Sequence, residues 1–317
     1  MTRKYEFTGE TKDWCGITLR RIRATTDFIL NNGMKVKKDD LGGWIEKKAN
    51  LSQEDSAWVY GNARVYGNAR VYGDAEVFCD AEVRGNARVY CNATVYENAE
   101  VSGYAKVSGD ADVSGDACVY GDAEIHGDAW VHGNAAVHGD ARVYGEADIS
   151  GDAEVCGDAK VSKSSDVICF KNIWSSRRTF TYTRSNQKWK VGCFYGTGEL
   201  LIKKAYADSE TKGRCYEAII RATEEIYKAI ADRDAKQEGE GIQKEECGDT
   251  ERDRLAQIAH HARKLAELMG ERELSITDQL KYKEWRSMTH YISHNAIEGL
   301  ATNIEQHLNL NTRKETK

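Results

Sequence analysis

Residues 57–80 read AWVYGNARVYGNARVYGDAEVFCD, and the same six-residue unit continues to residue 161 without a skipped or inserted residue. Alanine stands at Ala57, Ala63, Ala69 and every sixth place to Ala159. Two residues after each comes Val59, Val65, Val71 and onward to Val161, with Ile125 and Ile149 as the only variants. Eighteen units match. Between them lies a pair that is mostly Gly followed by Asp or Asn, as in Gly61-Asn62 and Gly121-Asp122, the composition of a turn that needs a left-handed backbone. Each unit therefore reads as a short strand plus a corner. Strand alternation sends Ala and Val to one side and the neighbours of Val to the other. One unit cannot bury its own apolar side, so the units must coil about a shared axis and stack around a column of Ala and Val.

This register resembles the hexapeptide-repeat, left-handed parallel β-helix superfamily, whose units carry an aliphatic residue followed four places later by a small one, as Val59 is followed by Ala63. The resemblance covers about a third of the chain. It implies three units per coil, hence about six coils and a prism about 25–30 Å long at about 4.8 Å per coil. Left-handed winding rests on the resemblance, since general topology favours right-handed crossovers.

The flanking sequence predicts three further parts. Residues 1–56 break the hexad but alternate in Ile17-Thr18-Leu19 and Arg21-Ile22-Arg23, turn at Gly42-Gly43-Trp44-Ile45, and read as a β-rich cap that hides an open strand edge. Residues 163–231 read as a small α+β domain. Its strands are Val167–Phe170, Thr179–Thr183 and Trp189–Tyr195; its helix runs from about Ser209 to Ala231, with Ile219, Ala222, Ile226 and Ile230 on one face. Residues 232–250 are charged, hold Gly239 and Gly241, and read as a flexible linker. A helical tail over 251–317 follows, with Leu255, Ile258, Ala262, Leu265 and Met269 on one face and Ile276, Leu280, Met288 and Ile292 on another.

Two flanking segments carry resemblances of their own. TLRRIRATTDF (18–28) and DDLGGWIEKKANLSQEDSAWVYGNARV (39–65) resemble the start of enterobacterial hexapeptide-repeat proteins catalogued as transferases. FKNIWSSRRTFTYTRSNQKWKVGCFYGTGELLIKKAYADSETKGR (170–214) resembles a small domain found with the same repeats in phage and prophage proteins. These imply a phage or mobile-element origin.

Composition narrows the class. No run approaches a membrane span and the start, MTRKYEFTGE, lacks an apolar signal core, so a cytoplasmic protein, in the host cytoplasm if phage-encoded, is expected. Nine cysteines, with no C-x-x-C pair, read as reduced structural thiols; Cys79 and Cys91 take corner places normally held by Gly. The net charge of −6 is uneven: residues 57–162 hold seven Lys/Arg against eighteen Asp/Glu, a balance of −11, which leaves +5 on the remainder. An acidic rod is soluble and resists association, and it can also mimic a nucleic-acid backbone.

Stacking every eighteenth residue generates three outward faces. The face centred on Val71 presents Arg70, Arg88, Lys106, Glu124, Arg142 and Lys160 in one column and Tyr72, Tyr90, Ser108, His126, Tyr144 and Ser162 in the other. Like charges one coil apart repel by roughly 0.9 kcal/mol in water, so such a basic ladder either splays into solvent or meets an anionic partner. Arg beside Tyr also grips phosphates and stacks on bases or protein side chains. The candidate binding residues are therefore Arg70, Tyr72, Arg88, Tyr90, Lys106, Arg142, Tyr144 and Lys160. The face centred on Val59 presents Trp58, Glu76, Thr94, Asp112, Trp130 and Asp148 beside Tyr60, Phe78 and Tyr96; the third, with Arg64, Glu82, Glu100, Cys118, Ala136 and Glu154, is mixed.

Other features carry less. His126, His132 and His138 lie in successive units, hence on three faces, and form no single site within a chain. The repeats also lack the extruded loops with which the superfamily's acyltransferases shape their pocket. Asp122, Asp140 and Asp158 share a corner that could attract a cation or simply hold water. His290 and His294 have the spacing of a two-His metal pair without a zincin motif and read as exposed helical residues. Trp174, Arg177, Arg178, Tyr182 and Trp189 form a basic and aromatic cluster that suits a nucleic-acid or protein partner, or packing on a sheet. No catalytic residue, metal or cofactor is assigned. The expected function is a non-catalytic binding or scaffold protein of phage type. It recognises a protein partner, such as a host or defence component, through its ladders and self-associates as a dimer or trimer. The alternatives are a trimeric hexapeptide-repeat acyltransferase and a nucleic-acid binder or mimic.

Overall fold

The computed structural model describes residues 3–171 and 178–239, with side chains to residue 231. The chain divides into two units, Met1–Tyr227 and Lys228–Lys317, and everything below except the last turns of one helix belongs to the first. The hexads form eighteen two-residue strands, β6 (Trp58–Val59) to β23 (Lys160–Val161). Every third strand pairs in parallel register, giving three sheets wound into a β-solenoid. The repeated Ala and Val side chains are at most 2% exposed and form one continuous core. The corner glycines have φ between 64° and 74°, and Cys79, Cys91 and Glu97 adopt the same left-handed conformation at φ 58–59°. Glu97 offsets part of that cost, because its Oε2 accepts a hydrogen bond from the Gly115 amide one coil on, at 2.7 Å.

Winding begins before the hexad. After the hairpin β1 (Tyr5–Trp14) and β2 (Ile17–Ala24) and the short pair β3 (Phe28–Ile29) and β4 (Lys35–Val36), strand β5 (Leu41–Ile45) pairs in parallel with Arg64–Val65. Leu51 then bridges to Val71. The solenoid thus has about seven turns rather than six, because Trp44 to Ser56 supply a first turn of irregular sequence.

Alternate N–H groups of each coil donate to carbonyls of the next, as Lys106 N to Ala123 O and Ser108 N to Ile125 O, both 2.9 Å, and the parallel pairing returns bonds in the other direction. Each end of the rod therefore leaves strand-edge groups that need partners. At the first end the Lys4 ammonium donates to Ala57 O at 2.7 Å, and Asn50 Nδ2 donates to Ala69 O at 2.8 Å. At the other end hydroxyls accept: Ser164 from Asp148 N, Thr181 from Glu154 N at 3.0 Å and Ser185 from Lys160 N at 2.7 Å.

Beyond the rod, β24 (Val167–Lys171), β25 (Thr179–Thr183), β26 (Lys188–Val191) and β27 (Phe194–Gly196) form an antiparallel sheet. The expected strand at Trp189–Tyr195 is split by a turn at Gly192, φ 55°. Two helices follow, α1 (Gly198–Asp208) and α2 (Glu210–Gly239). Helix α1 lies between the last expected strand and the expected helix, where the sequence reading placed no helix. The Thr197 hydroxyl caps it by accepting from Leu200 N, so the Gly196-Thr197-Gly198 turn is a helix start. Helix α2 continues eight residues into the expected linker; the rest of that linker and the tail over 251–317, with His290 and His294, lie outside the described residues. The buried face of α2 is also not the aliphatic one. Tyr216, Ile220, Thr223 and Tyr227 are buried, whereas Ile219, Ala222, Ile226 and Ile230 are half-buried, because the sheet offers aromatic partners: Phe180 meets Tyr216 at 4.8 Å and Tyr182 meets Tyr227 at 5.2 Å. No helix among the described residues is long and apolar enough to cross a membrane.

Candidate binding face

The Val71 face is built as its spacing requires. Arg70, Arg88, Lys106, Glu124, Arg142 and Lys160 are successive partners in one six-stranded parallel sheet, so their side chains form one column. The column is not uniform. Glu124 takes a hydrogen bond from Lys106 at 2.7 Å and pairs with Arg142 at 3.3 Å. The hydrogen bond from Lys106 holds the Glu124 carboxyl below its usual range despite partial burial. Lys106 and Arg142 thereby share one carboxylate. At the other end the exposed Arg70 and Arg88 guanidinium groups have neither a hydrogen bond nor an ion pair among the described residues.

Arg70, Arg88, Lys106 and Arg142 line a shallow groove of about 780 Å³ with the corner residues Asn68, Asn86, Tyr104, Asp122 and Asp140. Tyr104 is 63% exposed and, like Asn68 and Asn86, was not among the candidate binding residues. Its signal was present, since it replaces the Asn or Asp that follows Gly at almost every other corner. Tyr72, Tyr90 and Tyr144, expected to join the site, line the opposite flank of the column. Tyr72 stacks on Tyr90 at 5.0 Å and Tyr144 on His126 at 5.3 Å, so each is half-buried against its neighbour. Lys160 continues the column but does not line the groove. The groove is thus cationic towards Arg70 and anionic towards Asp122 and Asp140, and its cationic end suits a carboxylate or phosphate.

Other expectations change with the geometry. Trp58 is not a surface residue: Phe28 and Tyr5 pack edge-on against it, at 5.3 and 6.4 Å, and leave it 2% exposed. Glu76 and Glu82 are covered too. Glu76 accepts from Asn32 Nδ2 at 2.9 Å and Tyr60 OH at 3.0 Å, and burial raises its pKa. Glu82 gathers the Trp14 indole N–H at 3.2 Å with Arg64 and Arg84. The N-terminal hairpin therefore clasps the flank of the first coils as well as closing their end. In the C-terminal cluster, Trp189 and Tyr182 are buried under α2 and belong to the core; Trp174 and Arg177 lie outside the described residues.

The histidines go to three faces. His132 Nε2 meets Asp148 and His138 Nε2 meets Glu154, both at 2.9 Å, while His126 stacks on Tyr144. The alternation of Asn and Asp along one corner has a direct cause, for Asn98 donates to Asp116 and Asn134 to Asp152, each at 3.0 Å. Asp158, in the all-Asp run, accepts from Asn186 at 3.1 Å. Among the described residues no group of three or more His, Cys, Asp or Glu is placed to hold a metal ion.

With this geometry in view, the first coils match a known family description, the YdcK beta solenoid repeat, at residues 57–73 and 63–77. These coils are similar to that repeat. The match lies on the strands that carry Arg64 and Arg70 and ends before Arg88. A comparison with curated proteins found no match for the chain.

Proposed function

We propose that the chain is a non-catalytic binding protein whose β-solenoid presents a basic ladder to an acidic surface of a protein partner. The observation that carries this reading is the pair Arg70 and Arg88: adjacent, exposed and without a counter-ion among the described residues, while Lys106 and Arg142 further along are paired with Glu124. Holding two like charges about 4.8 Å apart costs free energy that an anionic partner recovers. Exposed Tyr104 beside them offers the rigid aromatic contact that anchors many interfaces. The resemblance of residues 170–214 to phage-associated domains, and of the hexads to hexapeptide-repeat proteins, supports placing the chain among phage-type scaffolds whose partner is a host component.

The test is an affinity capture from host lysate with tagged wild-type protein and the Arg70→Glu/Arg88→Glu variant, each with and without nuclease. A protein retained by the wild type after nuclease and lost by the variant is the expected result. Loss on nuclease treatment assigns the ladder to nucleic acid instead. Equal retention by both proteins, or no retention together with saturable binding of an acyl donor, overturns the reading.

A further inference from the structure

The Val59 face holds a second, oppositely charged feature that the ladder leaves unused. Trp130 stands in one column between Asp112 on the preceding coil and Asp148 on the next, in parallel register with both. It is 43% exposed, whereas Trp58 in the same column is 2% exposed. His132 stacks against one side of the indole at 4.0 Å and is itself held by Asp148; the indole N–H reaches Ser114 Oγ at 3.4 Å. The ring is thus fixed in orientation with its remaining surface open to solvent.

The surroundings are carboxylates. The flanking corners carry Asp110 and Asp128 on one side and Asp116 and Asp152 on the other, each within one coil of Trp130. Lys171 reaches Asp152 at 2.8 Å, and the His132 ring meets Asp148 at 2.9 Å. Asp110 and Asp116 accept amide hydrogen bonds from Asn92 and Asn98, and at Asp152 the hydrogen bond from Lys171, then that from Asn134, lowers the pKa. Asp112 is half-buried and its pKa is raised by that burial. An open, oriented indole ringed by negative charge presents the electron-rich face and counter-charges that a guanidinium or ammonium group requires.

We infer that Trp130 and the carboxylates around it dock an Arg- or Lys-bearing segment of a protein partner. This goes beyond the basic-ladder reading and does not rest on it. The rod then carries two recognition faces of opposite sign, and it can hold a basic segment on one while an acidic surface occupies the other.

The test is titration of the full chain with a fluorescently labelled oligoarginine peptide, with oligoglutamate as control. The readouts are anisotropy and the indole N–H resonance of Trp130, assigned with Trp130→Phe. Trp130→Thr, which installs the residue found at Thr94 in the same column, should weaken oligoarginine binding about two- to five-fold, the range expected of an exposed cation–π contact. Trp130→Phe should lie between it and wild type, and Arg70→Glu/Arg88→Glu should not weaken binding. The wild-type indole resonance should move on saturation, a readout independent of how any variant folds. Unchanged affinity in Trp130→Thr, or a Trp130 resonance that stays still, overturns the proposal and leaves only diffuse attraction to an acidic rod.

Discussion

Arg70 and Arg88 lie directly over one another in parallel register, and neither guanidinium is neutralised by a carboxylate among the described residues. In the same column Lys106 and Arg142 are separated by Glu124, which binds both. One column thus shows the same problem left open at Arg70 and Arg88 and answered at Lys106 and Arg142. Replacing Arg88 by Gln should remove a repulsion worth under about 1 kcal/mol, raising thermal stability slightly at low salt and not at 0.5 M salt. Differential scanning calorimetry at two ionic strengths measures it.

Glu124→Gln is the converse experiment. It frees Lys106 and Arg142 and extends the cationic run through the groove, so the acidic partner should bind more tightly and with a steeper salt dependence. Fold and core should be unaffected, because Glu124 points outward. Binding measured from 50 to 300 mM salt on wild type and variant decides this.

The corners make a paired prediction. A Cβ at Gly109, φ 72°, would lie 2.7 Å from the Gly127 backbone nitrogen, whereas at Gly151, φ 64°, it would meet nothing within 4 Å. Gly151→Ala should therefore cost only the left-handed backbone term, about 1 kcal/mol, and Gly109→Ala should cost about 2–3 kcal/mol through the added contact with the next coil. Urea unfolding of both variants tests the difference rather than either absolute value.

Thr181→Val keeps the shape of the side chain but removes the oxygen that accepts from Glu154 N. Leaving that N–H without an acceptor at the C-terminal end should cost about 1–3 kcal/mol and speed amide exchange at Glu154 ahead of the middle coils. Hydrogen exchange resolved by residue is the measurement.

Lys4 supplies a pH dependence. Burial against the first coil lowers its pKa from the ordinary lysine value to about 8, with Asp55 opposing the shift. The unfolded chain keeps this proton up to the ordinary value of about 10.4. Between pH 8 and that value the unfolded state binds more protons than the folded one, so this group's contribution to stability rises with pH across the window. Stability of wild type relative to Lys4→Met, followed from pH 7 to 10, should show that rise; a flat difference would contradict the burial of a titrating amine.

The six-residue register was enough to read the rod, because Ala and Val at fixed spacing admit one way of hiding their methyl groups. It also placed the basic column, since stacking is arithmetic once the coil length is known. Whether a charge was answered was not legible: Glu124 bridges Lys106 and Arg142 through side-chain reach, whereas Glu76 and Glu82, in equivalent repeat positions, are taken by Asn32 and Trp14 from a corner and a hairpin without the repeat. Trp58 was misread for the same reason, being an outward position that a non-repeating segment covers. Helix α1 was missed because Phe194 to Ala205 holds an apolar pattern compatible with either period, and the Thr197 cap decides it.

A six-residue module with a three-module coil makes the rod a ruler with a built-in angle. Deleting or duplicating eighteen residues would change the distance between the clasped first coils and the hydroxyl-capped last one by about 4.8 Å while every face stays aligned. Deleting six between Arg88 and Trp130 would turn all that follows by a third of a revolution, bringing the Trp130 column under the Arg88 column and placing opposite charges in one file; duplicating six would turn it the other way, under the column of Arg64. The unbroken count from Ala57 to Val161 thus fixes which chemistry looks in which direction, and the two recognition faces depend on that phase as much as on the residues that compose them.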